Sequence, residues 1–155
     1  MADSIREKIF QNIQTTLQGI RGANGCNYTV DPDNVMIIHG KRDDSAYAEP
    51  IIYIYPGSEV LNPDFGEKGS DYFELTIQIE AWIRSEKIDM NSSINKILAD
   101  LITVLGEDYT RGGYAINTTF VANESFLVDL TGDKAGVMLD VKVDYETKYG
   151  KPYEQ

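Results

Sequence analysis

The sequence predicts an α+β domain with a mixed, mostly antiparallel sheet and two helices packed on one face of it. Three observations lead to this prediction. Residues 72–83 and 137–145 alternate apolar and polar side chains, which is the two-residue period of a strand with one buried face. Residues 4–20 and 91–105 repeat apolar side chains every three or four positions, which is the helical period. The helices are separated by runs of consecutive strands, an order typical of α+β proteins.

The first helix has clear end signals. Ser4 and Glu7 have the spacing of a capping box, in which each side chain bonds to a free backbone N–H of the first turn. The apolar stripe continues to Ile20, and Gly22 stands where a left-handed C-terminal cap is expected. We therefore expect a helix of about four turns that lies on the sheet with its other sides in water.

Two shorter strands are predicted after this helix. Residues 35–39 form a continuous apolar run, which indicates a buried strand. Residues 51–55 form a second run, which begins after Pro50 and ends at Pro56-Gly57. Residues 58–71 are then expected to form a long acidic loop, and a loop of that length is usually functional or disordered.

The stretch at residues 72–83 is predicted to be the middle strand of the sheet, with one face in water. The second helix follows it, with Asp89 or Asn91 as its cap and Gly106 at its end. Residues 115–121 predict a strand, and residues 126–128 are either another strand or its continuation past a break near Asn123. The last strand turns these side chains inward: Val137, Leu139, Val141, Val143 and Tyr145.

The chain has 155 residues, of which 42% are hydrophobic, enough for one domain with a sizeable core. We expect residues 1–145 to form that domain and residues 146–155 to form an extended C-terminal tail. No run reaches the ~20 apolar residues of a membrane helix, and we expect no signal peptide. The single cysteine, Cys26, excludes an intrachain disulfide and fits a reducing compartment.

The formal net charge is −11. Binding to a phosphate backbone needs clustered Lys and Arg, and the only cluster here is Lys41-Arg42. Stable binding to DNA or to an anionic membrane is therefore not expected. The acidity serves either solubility alone or a surface that tolerates DNA nearby without binding it.

No residues suggest an enzyme, a metal site or a cofactor. His39 is the only histidine, and with it as the only possible base Cys26 is a poor nucleophile. These two residues are also too few for a zinc site. A calcium site near Asp31 and Asp33 would lack the EF-hand spacing. A pair of carboxylates that hydrolyses glycosides remains open, although no two acidic residues stand out.

Aspartates on the last strand and several aromatic residues have two interpretations. Asp140 and Asp144 share a strand face, but Lys142 between them partly neutralises them, so a solvated face is the simpler interpretation. Tyr53 and Tyr55 share one face of their strand, and Tyr72 and Trp82 lie on the polar face of the long strand. Such aromatic residues either cover the sheet edges or form a contact surface, since Tyr and Trp are enriched in interfaces.

The order of the predicted elements resembles that of a known family. It consists of the capped helix at residues 4–20, the strand bounded by Pro50 and Pro56-Gly57, the long alternating strand, and the helix at residues 91–105. The last strand runs into a polar tail with Tyr149, Pro152 and Tyr153. Over nearly its whole length the chain resembles the tail terminator, or tail completion, proteins of long-tailed bacteriophages.

This resemblance implies a structural protein of the virion, assembled in the host cytoplasm. It implies a homo-hexameric ring that caps the tail tube, stops its polymerisation and docks the tail to the head or neck. The partners would be the tail tube protein, a neck or connector protein and possibly the sheath, with DNA passing through the ring without specific binding and no membrane. The loops at residues 40–49, 57–71 and 106–113 and the C-terminal tail are the expected contacts. The candidate interface residues are Tyr53, Tyr55, Asp64, Phe65, Tyr72, Trp82, Tyr109, Arg111, Tyr145, Tyr149, Pro152 and Tyr153.

Three alternatives remain open at this point. The nearest is another neck protein, such as a head-completion or connector protein. The second is an acidic inhibitor that mimics DNA, which should concentrate its carboxylates along one element. Basic residues are instead interspersed here, among them Arg84, Lys87, Lys96 and Lys142. The third is an enzyme that uses carboxylates, which a titration with divalent metal ions would detect.

Overall fold

The structure is a computed structural model that describes residues 2–39, 50–85, 89–127 and 134–155. The helices are α1 (Ile5–Gln18) and α2 (Met90–Gly106), and the strands are β1 (Val35–Ile37), β2 (Ile51–Leu61), β3 (Ser70–Arg84), β4 (Asn117–Leu127) and β5 (Lys134–Lys148). The strands form one sheet in the order β1-β2-β3-β5-β4. β1 is parallel to β2, and each other neighbouring pair is antiparallel. The predicted α+β fold with a mixed, mostly antiparallel sheet is confirmed.

The core lies between the two helices and one face of the sheet. β3 is the middle strand, as predicted, and its inward side chains from Leu75 to Ile83 are fully buried. The predicted inward residues of β5 are buried as well, and apolar residues of both helices complete the same cluster. The side chains that β3 and β5 contribute are Leu75, Ile77, Ile79, Ala81, Ile83, Ala135, Val137, Leu139, Val141, Val143 and Tyr145.

The start of α1 is as predicted, but its end is not. The Ser4 hydroxyl accepts a hydrogen bond from the Glu7 N–H at 3.1 Å, which caps the helix. The predicted left-handed cap at Gly22 is wrong, because the helix ends at Gln18 and Gly19 keeps a right-handed conformation. The Gly19 N–H bonds to the Thr16 carbonyl at 3.0 Å, so a tightened last turn ends the helix without a left-handed residue.

A buried carboxylate fastens the loop after α1 to α2. Asp100 is almost fully buried on α2. It accepts hydrogen bonds from the backbone and side-chain N–H groups of Asn27, at 2.9 and 2.8 Å, and from the Tyr28 N–H at 2.9 Å. At the ends of α2, Gly106 is the last helical residue, as predicted, and Asp89 occupies the N-cap position but its side chain makes no capping hydrogen bond.

The largest difference from the sequence prediction is the length of β2. The strand does not stop at Pro56-Gly57 but runs on to Leu61, so the loop to β3 is residues 62–69 instead of 58–71. A register shift between Pro56 and Glu59 marks a bulge. β1 pairs with β2 only as far as Ile54, and a proline is tolerated on a strand edge that lacks a described neighbour.

The other strands also differ in extent from the prediction. β1 is a three-residue edge strand that is only partly buried, rather than a buried strand of five residues. β4 is one continuous strand, and its irregularity falls between Phe120 and Ala122 rather than near Asn123. β5 continues to Lys148, past the expected boundary at residue 145. The residues after it turn back, with the Ile5 N–H bonded to the Pro152 carbonyl at 2.9 Å.

Candidate interaction surface

The long hairpin of β2 and β3 ends in a group of exposed apolar side chains. Val60 is 55% exposed, Leu61 51% and Phe65 64%. The Phe65 ring lies 6.0 Å from the ring of Tyr72, which stands on β3. We call these four residues the hairpin tip. Val60 and Leu61 are adjacent on the strand and so point to opposite faces of it, which means that exposed apolar side chains border both faces of the hairpin at this end. Such a group on an acidic chain is typical of a surface that another protein covers.

The C-terminal turn is attached to the same end of the sheet. The Tyr149 N–H bonds to the Gly69 carbonyl at 2.9 Å, and the Gly150 N–H bonds to an Asp71 carboxylate oxygen at 3.1 Å. Tyr149 is 76% exposed, and Tyr153 is exposed as well. Six predicted contact residues, distant in sequence, therefore lie at one end of the sheet: Asp64, Phe65, Tyr72, Tyr149, Pro152 and Tyr153.

Three other predicted contact residues lie at the opposite end of β3 and are largely enclosed. Tyr53 and Trp82 form a small second cluster with Ile51 on the sheet face away from the helices, and Tyr55 packs against it. The Trp82 indole N–H donates to the carboxylate of Glu80, which is also buried. The expectation that this whole face of β3 lies in water is therefore wrong. Aromatic and aliphatic side chains of neighbouring strands cover one another there, because the register places Ile51 opposite Trp82.

Arg111 is a structural residue rather than an exposed one. Its side chain is 0% exposed, and it joins the end of α2 to β4. Nη2 donates to the Leu105 carbonyl, and Nε donates to the Thr118 hydroxyl at 2.9 Å. Burial lowers the pKa of the guanidinium, and nearby Asp108 opposes that effect. The neighbouring candidate, Tyr109, is exposed.

Tyr145 is likewise enclosed, beneath the start of α1. Its hydroxyl donates to Glu59 at 2.7 Å, and the same carboxylate lies 3.4 Å from Nε of Arg6. Burial and then the Glu59 carboxylate raise the pKa of Tyr145. Because the bulge in β2 places Glu59 opposite inward-facing Leu75, it turns this carboxylate toward the helices.

Carboxylates gather on the open part of the sheet face. Glu74, Asp144 and Glu146 surround Tyr72, and its partial burial followed by these charges raises the pKa of the phenol. Lys142 lies 3.5 Å from Asp144 and 3.8 Å from Glu74, so it offsets part of the negative charge. This is the predicted effect on Asp144, whereas the Asp140 carboxylate accepts a hydrogen bond from Gln78 at 3.1 Å. The surface is acidic but not uniformly so.

A second exposed apolar group lies along β4, and most of it was not predicted from the sequence. Ile116, Phe120 and Val121 have exposed side chains, and the outer edge of β4 faces no described strand. Val60 and Leu61 were not named as single candidates, although they lie within the predicted contact segment at residues 57–71. The available signal was the near absence of charge in residues 115–127, which contain only Glu124.

Within the described ranges, no three His, Cys, Asp or Glu side chains are grouped so as to hold a metal ion. Cys26 lines a groove of about 310 Å³ between the C-terminal halves of the two helices. His39 is exposed and does not line this groove. No helix in the described part of the chain is long and apolar enough to cross a membrane. The predicted contact loop at residues 40–49 and the basic residues Lys41, Arg42 and Lys87 fall outside the described residues.

No protein-family model matches the chain, and no curated protein matches it.

Proposed function

We propose that this protein is a tail terminator of a long-tailed bacteriophage. In this proposal six copies form a ring that caps the tail tube, stops its polymerisation and docks the tail to the head or neck. The observation that carries the proposal is the exposed apolar hairpin tip beside the exposed tyrosines of the C-terminal turn. Its partners are further copies of the chain, the tail tube protein and a neck or connector protein, with the sheath as a further contact in a contractile tail.

The energy available from covering this end of the sheet is substantial. Fully burying one large apolar side chain contributes about 1.5–3 kcal/mol. Val60, Leu61, Phe65 and Tyr149 are each more than half exposed, so covering all four is worth roughly two to three times that amount before the costs of association. A protein whose role is to join other proteins needs such a surface.

The acidic open face supports passage of DNA through the ring. The carboxylates of Glu74 and Glu146 repel phosphates that approach within the Debye length of about 8 Å at physiological salt. DNA moving along such a surface is kept in the channel without being held. Another neck protein could use the same surfaces in the same way.

The DNA-mimic alternative has less support from the charge pattern. A mimic presents unpaired carboxylates at phosphate-like spacing, whereas Lys142 lies within 4 Å of two of those on the open face. The assay below separates the two, because an inhibitor would bind a DNA-binding protein and would leave tail tubes unchanged.

The experiment combines native mass with tube capping. Light scattering should give a species near six times 17.4 kDa, and negative-stain images should show a ring with a central hole. Added to polymerising tail tube protein, the wild-type chain should shorten the tubes and appear at one end of each.

Phe65→Ser should weaken capping, whereas Arg21→Ser should not. Arg21 is an exposed long side chain beyond the opposite end of α1, so it serves as the matched control. Tubes that grow to the same length with and without the wild-type chain would contradict the proposed function.

A further inference from the structure

Two stretches of strand edge face no described strand. One is the outer edge of β4 along its whole length, which we call the β4 edge. The other is the outer edge of β2 at residues 56–61, beyond the point where β1 stops pairing, which we call the β2 edge segment. An open strand edge exposes backbone N–H and C=O groups that readily pair with another chain.

Both edges carry exposed apolar side chains. Val60 and Leu61 lie on the β2 edge segment, and Phe120 and Val121 lie on the β4 edge. The two apolar groups are on different strands at opposite sides of the sheet. Covering either one in water would be favourable, and covering both at once requires a partner with two complementary surfaces.

Charge favours a second copy of this chain as the partner. Copies with a net charge of −11 repel each other over most of their surface. The β4 edge, however, contains only Glu124 as a charged residue. The β2 edge segment contains only Glu59, whose carboxylate is already engaged by Arg6 and Tyr145. These edges can approach each other with little of that repulsion.

We propose that the β4 edge of one copy pairs with the β2 edge segment of the next, so that the sheet continues from subunit to subunit. Because the two surfaces differ, the contact is head-to-tail, the type that closes into a ring when the rotation between copies allows it. The inference rests on the proposed ring and specifies how it closes. Six residues of strand span roughly 20 Å, enough for several backbone hydrogen bonds at each junction.

A two-fold contact between two β4 edges is the competing arrangement. It would bury Phe120 and Val121 but would leave Val60 and Leu61 in water. It would also give pairs of copies rather than a ring with one repeated contact. Cross-linking separates the two arrangements directly.

The test uses cysteine pairs in a Cys26→Ser background, so that no native thiol remains. The double variant Val60→Cys, Val121→Cys is treated with a flexible bis-maleimide reagent and run on a denaturing gel. We expect a ladder that extends to six covalently joined chains. Each single variant alone should remain uncross-linked, and a mixture of the two should stop at joined pairs.

Charge insertion gives an independent measurement on the same surfaces. Leu61→Lys or Val121→Lys should convert the assembled species to monomer in light scattering, because each places an ammonium group in a covered apolar contact. Thr15→Lys makes the same change of charge at an exposed position on α1, and it should assemble like the wild type.

Several results would overturn the interface. Cross-linked pairs from Val121→Cys alone would show the two-fold contact instead. If the cysteine pair gave no ladder and both lysine variants kept the mass of six chains, this interface would be rejected. The proposed function would be unaffected by that result. A full ladder from a chain that never caps tail tubes would uphold the interface and reject the function. A wild-type chain that stays monomeric, both alone and with tail tubes, would reject both.

Discussion

Gly57 is the position where the bulge in β2 should be most sensitive to a single added atom. A Cβ built at Gly57 would lie 3.1 Å from the carbonyl carbon of Thr76 on β3 and would overlap its carbonyl oxygen. This neighbour is backbone in the middle strand of the sheet, so it cannot move aside as a flexible side chain would. Gly57→Ala should therefore force β2 and β3 apart where the register shifts.

Overpacking of this kind costs about 1–3 kcal/mol, and the reduced freedom of the unfolded chain returns about 0.4–1 kcal/mol. The expected loss of stability is thus about 1–2 kcal/mol, equivalent to a melting temperature lower by roughly 2–8 °C in a chain of this size. Urea unfolding followed by circular dichroism measures it, with the slope of the transition unchanged.

Gly106→Ala is the matched control. Gly106 is the last residue of α2, and a Cβ there would meet no other atom within 4 Å. The substitution should leave stability unchanged or raise it by up to about 1 kcal/mol. If Gly57→Ala proved as stable as Gly106→Ala, the close approach of β2 to β3 at the bulge would be refuted.

Three further substitutions test buried polar contacts, each by urea unfolding. Asp100→Asn removes one of two acceptor oxygens and should cost about 1–3 kcal/mol, whereas Asp33→Asn on an exposed turn should change little; equal effects would refute the role of the buried carboxylate. Arg111→Lys keeps the charge but loses the planar guanidinium with its two hydrogen bonds, and it should lower the free energy of unfolding by about 2 kcal/mol. A variant as stable as the wild type would show that these hydrogen bonds are not needed. Tyr145→Phe should cost about 1 kcal/mol at neutral pH, since it loses the hydrogen bond to Glu59. The pKa of Tyr145 is raised above its usual 10.0 in the folded chain, so the unfolded chain loses this proton at a lower pH than the folded chain does. The contribution of Tyr145 to the free energy of unfolding is therefore fully present below about pH 10 and falls as the pH rises above it. The phenylalanine variant should show a shallower fall, and an unchanged slope would contradict the raised pKa.

The surfaces that matter for the proposed assembly were only partly visible in the sequence. Phe65, Tyr149 and Tyr153 were expected to make contacts and are exposed at one end of the sheet. Arg111 was expected to do the same and is fully buried. Residue type and loop position cannot distinguish these cases, because burial depends on which carbonyls a folded neighbour presents. Arg111 finds the Leu105 carbonyl at the end of α2, and that encounter has no signature in local sequence.

The position of β4 in the sheet likewise could not be predicted from the sequence. Residues 115–121 were correctly expected to form a strand, but their place at the border of the sheet is a matter of strand order. Strand order depends on contacts between residues far apart in the chain, and such contacts leave no periodic pattern in it. The exposure of Phe120 and Val121 follows only once that order is known.

The fold class, the helical and strand periods, and the inward faces of β3 and β5 were all predictable from the sequence. Alternation and three-to-four spacing are properties of a single segment, and the hydrophobic effect acts on them in the same way wherever the segment is placed. That β2 continues through Pro56-Gly57 was visible only in the folded protein, because a proline within a strand is tolerated at a bulge or on an edge that faces no described neighbour. Tertiary structure also decided that Glu59 turns toward Arg6 and Tyr145, since the register with β3 sets the face to which each residue of β2 points.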